Sequence, residues 1–251
     1  MSYFVVEKHG NQLYLYEYRS VRVNGQPKKV YVDYHGPVNE TVTDRVHRDL
    51  ADPETDISKL NDAFTHDRRI TTFDLETTGL TNDDQIAEFS ATKHRFRDGK
   101  LTEYASFYEG AWTDREFHPA ATQATGKTRA DYEGCRHTDE VNRDFRRLLG
   151  KCPKLAGFNL EFDTRMLNRA ARGGGYPELT REKAIDAHDI SRAIHPRARS
   201  HTLGSSLKRE RITPEGKLHG ARTDDRATAR LIERYARKID AISKIKPRKI
   251  A

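Results

Sequence analysis

Residues 69–80 read RITTFDLETTGL, a strand-like run that ends in a turn of Thr77-Thr78-Gly79-Leu80. Because side chains alternate along a strand, Asp74 and Glu76 lie on the same face. Two carboxylates held this close repel each other unless a cation lies between them, and their oxygens suit Mg²⁺ or Mn²⁺. The stretch therefore predicts a metal-binding strand end, beside which exposed backbone N–H groups of residues 77–80 meet an anionic substrate.

A second acidic segment is Asn159-Leu160-Glu161-Phe162-Asp163, between a predicted strand at 153–158 and a predicted helix at 160–172. Asn159 is suited to cap this helix, and Asp163 is four residues further along, on the same helix face. Asp163 is thus expected near the helix N-terminus at the end of a neighbouring strand, where open α/β sheets place their sites. Glu161 is expected to point outward.

The third segment, His219-Gly220-Ala221-Arg222-Thr223-Asp224, precedes and opens a long helix predicted at 222–239. On one ideal helix His219 and Asp224 would point about 140° apart, so both reach one site only if His219 lies in the preceding loop. Asp224 is then a further metal carboxylate and His219 a general base that titrates near neutral pH. The adjacent Asp225 is expected to face solvent.

The three segments, in this order, resemble the motifs of the DEDDh exonucleases, the DnaQ-like branch of the ribonuclease-H-like superfamily. The motifs are Phe73 to Leu80, Gly157 to Asp163, and His219 to Asp224, and the resemblance covers residues 69–238. The related tyrosine-type branch carries Tyr where Gly220 stands here, which favours the histidine type.

The resemblance implies an α/β fold with a mixed five-stranded sheet flanked by helices. It implies two divalent ions, Mg²⁺ or Mn²⁺, held by Asp74, Glu76, Asp163 and Asp224. It also implies a water, deprotonated by His219, that attacks the terminal phosphodiester and releases nucleoside monophosphates from the 3′ end. The substrate-binding residues expected with this site are Thr77, Thr78, Gly79, Leu80, Asn159, Phe162 and Lys127.

Two stretches are more similar to bacterial exonuclease I, namely the Thr-Gly in Ala124-Thr125-Gly126-Lys127-Thr128 and the segment from Gln85 to Phe89. This similarity favours single-stranded DNA as substrate, and DNA over RNA. Two alternatives stay open: a proofreading subunit that serves a DNA polymerase, and a catalytically inactive nucleic-acid-binding adaptor.

The chain divides into a β-meander module at 1–37, a helical linker at 38–68, the exonuclease domain at 69–238 and a basic tail at 239–251, with Lys238 at its start. Strands are predicted at 3–8, 12–22 and 28–35, the last two joined by Asn24-Gly25, a hairpin signal. The module's tyrosines are either its own core or, with Arg19, Arg22, Lys28 and Lys29, a surface that stacks bases, extends the nucleic-acid footprint or docks a protein.

Helix caps are predicted at Thr43-Asp44 and Thr55-Asp56 in the linker. In the exonuclease domain, strands are predicted at 69–76, 85–96 and 101–108, and helices at 138–149, 189–194 and 202–210. Gly173-Gly174-Gly175 is expected to break the helix that begins at 160.

The 251 residues carry 45 Lys and Arg against 38 Asp and Glu, a net charge of +7, which favours polyanionic partners. Charged residues make up 33% and the mean hydropathy is −0.89, and no apolar run is long enough to span a membrane. The N-terminus shows no secretory signal, and Cys135 and Cys152 are too few for a disulfide framework, so a cytoplasmic protein is expected. The basic residues within 192–211 either grip the nucleic-acid backbone or form a solvated helix face.

Overall fold

The computed structural model describes residues 2–10, 12–66, 69–170, 178–180 and 184–245. The strands are β1 Ser2–His9, β2 Gln12–Val23, β3 Gln26–Val38, β4 Arg69–Thr77, β5 Ile86–Arg97, β6 Lys100–Gly110, β7 Leu155–Gly157 and β8 Ala184–Asp186. The helices are α1 Glu40–Ala51, α2 Asp56–Thr65, α3 Pro119–Thr125, α4 Thr138–Leu149, α5 Leu160–Ala170, α6 Ala187–Ile194, α7 Leu203–Arg209 and α8 Ala221–Ser243, with a 3₁₀ turn at Arg129–Tyr132. The predicted break at Gly173–Gly175 lies outside the described residues.

A five-stranded sheet in the order β6-β5-β4-β7-β8 forms the centre of the fold. Strand β4 pairs antiparallel with β5 and parallel with β7, so the sheet is mixed, as predicted. Strands β4 and β5 are buried along almost their whole length, which suits a sheet covered on both faces.

Alternation along β4 sends its side chains into two different cores. Phe73 and Leu75 pack with α4 and α5, whereas Ile70 packs in the core that contains α8 and α6. Because Asp74 and Glu76 share the parity of Ile70, their side chains lie on the α8 face of the sheet. This alternation brings the two acids to the helix that carries Asp224.

The N-terminal strands form a separate antiparallel sheet, β1-β2-β3, which packs against α8. Phe4, Leu15 and Val38 are buried in the same core as Tyr235 of α8. A small sheet needs such support, and the prediction of this module is confirmed. The tyrosines are not its core, since Tyr3, Tyr31 and Tyr34 are exposed.

Helices α1 and α2 contribute Val42, Val46 and Leu60 to that same core. The predicted cap at Thr55 is confirmed, because its hydroxyl accepts a hydrogen bond from the Ser58 N–H at 3.1 Å. The cap predicted at Thr43-Asp44 is wrong: Asn39 caps α1 by accepting from the Val42 N–H at 2.9 Å. Asn39 was overlooked because the helix begins at Glu40, three residues before Thr43.

The C-terminal helix α8 runs to Ser243, so the segment predicted as a tail from residue 239 begins as helix. Lys238, expected at the start of that tail, is buried and pairs with Glu210 at 2.7 Å. The tail cations Lys246, Arg248 and Lys249 lie outside the described residues. Among the helices described, none is both long and apolar enough to cross a bilayer.

Candidate active site

Three carboxylates from two elements converge at the end of the central strand. Oxygens of Asp74 and Glu76 of β4 and Asp224 of α8 all lie within 4.8 Å of one another. Asp224 is in the first turn of α8, which crosses the sheet face that presents the other two acids. This spacing lets a single cation contact all three side chains.

Asp163 joins this group across a cleft of about 410 Å³. The cleft is lined by the four acids together with Leu75, Leu80, Phe158, Asn159, Phe162 and Arg165. Leu80 is 76% exposed, and the Arg165 guanidinium lies over the Phe162 ring at 5.4 Å. The cleft therefore has an acidic floor and a rim of apolar groups with one cation. Arg165 was missed because the sequence offers no signal that a mid-helix arginine reaches the site.

Burial raises the pKa values of the four carboxyl groups in the cleft, and mutual repulsion contributes for Asp74 and Glu76. Burial and then the charges of Asp163, Glu76 and Asp224 raise the pKa of Asp74 well above its usual range. Burial first, and then the charge of Asp224, raises the pKa of Glu76 to about 8. Burial likewise raises the pKa of Asp163 to about 7 and that of Asp224 to about 6. Hard oxygen donors under mutual repulsion fit divalent cations such as Mg²⁺ or Mn²⁺.

Asp186 at the end of β8 fixes the start of α5. Its carboxylate accepts hydrogen bonds from the backbone N–H groups of Asn159 and Leu160, each at 2.9 Å. The Asp186 carboxylate therefore accepts from the first N–H groups of α5. The sequence predicted that Asn159 would take this capping role. Asn159 itself has a positive φ of 60° and lines the cleft, while Glu161 is exposed as expected. The signal available in the sequence was the short run Ala184-Ile185-Asp186, two apolar residues that end in an acid.

His219 lies in the loop before α8, as predicted, with a φ of 70° and an exposed side chain. Its backbone N–H approaches both carboxylate oxygens of Asp224, at 3.2 and 3.3 Å. The backbone thus ties the loop to the acid, and the imidazole stays accessible beside it.

Glu88 of β5 stabilises the loop before α8. It is a buried acid that the sequence did not indicate as part of the site. Its carboxylate accepts hydrogen bonds from the Tyr132 hydroxyl at 2.8 Å and the Ala221 N–H at 3.1 Å. Lys127, expected near substrate, forms an ion pair with Glu88. The charge of Lys127 is therefore balanced by Glu88 at the edge of the site.

The turn after β4 is internally bonded. Thr78 is fully buried: its N–H donates to the Gln85 carbonyl at 2.9 Å and its hydroxyl to Asp84 at 3.0 Å. Thr77 is also buried, and its hydroxyl donates to the Gly79 carbonyl at 2.6 Å. The expectation of an exposed N–H is therefore wrong for Thr78. A Cβ at Gly79 would lie 2.6 Å from the Asp84 carboxylate and would displace it from its hydrogen bonds with Thr78 and Thr81.

Asp225, expected to face solvent, is fully buried. Its carboxylate accepts hydrogen bonds from Ser90 at 2.8 Å and Thr92 at 2.6 Å on β5. The Asp225 side chain does point away from Asp224, as expected. That direction leads into the sheet, however, and not toward solvent. Asp225 thereby fastens the first turn of α8 to β5.

The basic segment 192–211 does not form one continuous surface. Arg209 donates to the Ser200 carbonyl at 2.5 Å, and Arg211 pairs with Asp33 of the N-terminal sheet. Arg192 and Arg199 line a cleft of about 970 Å³ between α1–α2 and α6. This larger cleft also contains the acids Asp49, Glu54, Asp56 and Asp189, so its charge is mixed.

Comparison with known proteins agrees with this architecture. A 177-residue stretch is 33% identical to the PolC-type DNA polymerase III of Latilactobacillus sakei, and a 172-residue stretch is 28% identical to that of Streptococcus pyogenes. These stretches cover 70% and 66% of this chain but only 12% and 11% of the polymerases, so the chain spans a small part of their length.

Solved structures share the fold at low identity. A zinc-bound complex of Escherichia coli exonuclease I with single-stranded DNA superposes with a TM-score of 0.59 at 18% identity, over 70% of this chain and 42% of that one. A 3′-exonuclease that recognises the histone mRNA stem-loop superposes with a TM-score of 0.58 at 16% identity, over 72% and 67%. The fold is therefore ribonuclease-H-like, with the N-terminal three-stranded sheet beside it.

Residues 71–232 match the RNase_T family of exonucleases, and this stretch includes all four acids of the cleft, Asp74, Glu76, Asp163 and Asp224. The chain therefore belongs to the RNase_T exonuclease family.

Proposed function

We propose that this exonuclease is a two-metal-ion 3′→5′ enzyme of the DEDDh type, which shortens nucleic acid to nucleoside monophosphates. The observation that carries the proposal is the convergence of Asp74, Glu76 and Asp224 oxygens within 4.8 Å, with Asp163 lining the same cleft. Such a set is costly to bury without cations, which supports a metal-dependent site.

The four acids are the residues that would hold two divalent ions, Mg²⁺ or Mn²⁺. When bound, such ions activate water as a nucleophile and stabilise charge on a phosphate. Asp74 and Glu76 come from the rigid centre of the sheet, and Asp224 and Asp163 come from the first turns of α8 and α5. Placing the ligands on regular elements suits the precise geometry that such chemistry requires.

His219 is the proposed general base. His219 is exposed in the loop before α8, and its backbone N–H donates to the carboxylate of Asp224, one of the cleft acids. From the loop it can accept the proton of the attacking water and release it to solvent, while the bond between phosphorus and the 3′ oxygen of the preceding nucleotide breaks.

The rim of the cleft is the proposed binding site of the terminal nucleotide. Leu80 and Phe162 offer apolar surface to a base, and Arg165 beside Phe162 offers a charge to a phosphate. Asn159 adds a polar group at the same rim. Single-stranded DNA is the favoured substrate, in keeping with the oligonucleotide complexes of exonuclease I, whose fold this chain shares.

A second candidate keeps the chemistry and adds a partner. The relatives are PolC-type DNA polymerases, and the matching stretch is a small part of them. This favours an exonuclease that proofreads for a separate polymerase. A stable complex with a replicative polymerase in size-exclusion chromatography is expected under this candidate, and its absence at micromolar concentrations would count against it.

The direction of attack is tested with an oligonucleotide that carries a different fluorophore at each end. With Mg²⁺ or Mn²⁺, the 5′ label is expected on a ladder of shortening strands while the 3′ label is released first. EDTA should stop both processes, and duplex DNA and RNA carried in parallel report the preferred substrate. Early release of the 5′ label, or hydrolysis in EDTA, would overturn the proposal.

A further inference from the structure

The N-terminal sheet has one face that packs and one that does not. Phe4, Leu15 and Glu17 point toward α8, where Glu17 pairs with Arg234 at 2.7 Å. The alternate residues of β2, beginning with Tyr14 and Tyr16, therefore point the opposite way. This second surface is called the tyrosine face and comprises Tyr3, Tyr14, Tyr16, Tyr18, Tyr31 and Tyr34.

The six rings form one connected surface. Register places Tyr18 opposite both Tyr3 and Tyr31, and Tyr16 opposite Tyr34. Neighbouring ring centroids lie between 5.5 Å, for Tyr16 and Tyr34, and 6.5 Å, for Tyr14 and Tyr16. Tyr31 is 55% exposed, so the face presents ring surface to solvent instead of burying it.

The hairpin that continues this face is strongly basic. Residues 18–32 contain four exposed cations, Arg19, Arg22, Lys28 and Lys29, and no acidic residue. By register, Arg22 and Lys29 lie on the tyrosine face, and Arg19 and Lys28 lie on the opposite face of the hairpin. Lys29 lies over the Tyr18 ring at 3.6 Å and pairs with Glu7 at 2.7 Å. The other acids of the module's strands, Glu17 and Asp33, lie opposite each other in register and so share the α8-facing side.

We propose that the tyrosine face and its basic hairpin form a second binding surface for single-stranded nucleic acid, separate from the catalytic cleft. The rings would stack on successive bases and the cations would contact phosphates, a combination that binds single strands with little sequence preference. Tyrosine and arginine also occur in protein–protein interfaces, but the hairpin at 18–32 carries only positive charge, which matches a phosphate backbone and favours nucleic acid.

The surface is firmly joined to the catalytic domain. The Glu17–Arg234 pair fixes the sheet to α8, and Asp33 pairs with Arg211 beyond α7. Arg234 is ten residues from Asp224, about 15 Å along the helix axis. A strand long enough to span both sites can occupy them together, which would retain the substrate between cleavage events. The retention rests on the proposed function, whereas the binding itself does not.

The test measures binding of a fluorescent single-stranded oligonucleotide to the full chain in EDTA, where no turnover occurs, over a series of salt concentrations. Tyr31→Ala with Tyr34→Ala should weaken affinity by at least about 10-fold, the scale of losing one stacked base. Arg22→Gln with Lys29→Gln should reduce the slope of log affinity against log salt by about 1.4, since each lost phosphate contact removes about 0.7. The second pair keeps the proposal testable if the tyrosine variant folds poorly.

The matched control replaces an exposed tyrosine and an exposed lysine on β6, Tyr104→Ala with Lys100→Gln, and should leave affinity and slope unchanged. Unchanged binding in both hairpin variants would overturn the proposal. So would a parent dimer in light scattering that the tyrosine variant abolishes, because the face would then contact a second copy.

Hydrolysis of a trinucleotide with Mg²⁺ separates the two proposals. It is too short to reach the hairpin, so all hairpin variants should hydrolyse it at the parent rate. Failure of the parent itself on every substrate would overturn the proposed function and leave the binding result standing.

Discussion

The carboxylate of Glu88 accepts a hydrogen bond from the backbone N–H of Ala221 at 3.1 Å, across 133 positions of sequence. Ala221 is the first residue of α8 and follows His219-Gly220 directly. Strand β5 therefore sets where α8 begins, and with it the positions of the proposed base and of Asp224.

Glu88→Gln should lower kcat about 10-fold with little change in KM, because loosening a group behind a ligand costs about 10- to 100-fold. The amide removes the ion pair with Lys127 and weakens the bond to Ala221, so the loop that carries His219 is held less firmly. Glu103→Gln is the control, since Glu103 contacts α8 through Arg226 at 3.1 Å, away from its start. An equal kcat for the two variants would refute the positioning role.

Asp225→Ala should lower the free energy of unfolding by about 1–3 kcal/mol, the cost of leaving buried hydroxyls unsatisfied. The hydroxyls concerned are those of Ser90 and Thr92. Urea unfolding at neutral pH measures the change. Asp240→Ala on the same helix removes only a surface pair with Lys244 and should cost less than about 1 kcal/mol. Indistinguishable losses would mean that the buried network does not fasten α8.

Glu17 makes stability sensitive to acid. Burial tends to raise its pKa, but hydrogen bonds from His35 and Ser2 and the charge of Arg234 outweigh burial and lower the pKa from 4.5 to about 2. Because the folded pKa lies below the unfolded one, this stabilisation is present above pH 4.5 and is lost as pH falls toward about 2.

Urea unfolding at neutral pH and within that acidic window should therefore show a smaller loss of stability for Glu17→Gln than for the parent. The exposed Glu54→Gln variant should follow the parent. A parent-like acid dependence in Glu17→Gln would show that the pair with Arg234 does not contribute.

Leu80→Ala should raise KM for single-stranded DNA about 10-fold, the scale of losing an apolar contact in a binding pocket. The side chain is 76% exposed at the cleft rim, so the melting temperature should stay within error of the parent. Steady-state kinetics provide the test, with Tyr104→Ala on the edge strand β6 as control. A parent-like KM would remove Leu80 from the proposed substrate contacts.

Local periodicity predicts the individual strands and the placement of the acids at strand and helix ends, whereas the mixed five-stranded sheet is implied by the resemblance to the DEDDh exonucleases. Two-residue alternation places Asp74 and Glu76 together, and the loop before α8 separates His219 from Asp224. What the sequence did not predict depends on distant partners. Rotation on the helix shows that Asp225 points away from Asp224, but not that Ser90 and Thr92 lie beneath it, over 130 positions away.

The same distinction explains the N-terminal module. Its strands and hairpin follow from alternation and Asn-Gly, but which face is buried depends on α8, about 200 residues later. The pairing of Glu17 with Arg234 spans 217 positions and decides that the tyrosines face outward. The cap of α5 is similar, because Asp186 lies 26 positions beyond Leu160 in another strand.

The most direct test of the proposed mechanism compares Asp74→Asn with Asp98→Asn on 5′-labelled single-stranded DNA in Mg²⁺ and in Mn²⁺. Asp98 is exposed in the turn between β5 and β6 with a φ of 48°, a conformation that Asn tolerates, so it loses the same charge away from the cleft. The proposed mechanism predicts parent-like shortening by Asp98→Asn and a loss of at least about 100-fold by Asp74→Asn, with both proteins folded. Equal rates for the two variants would contradict it.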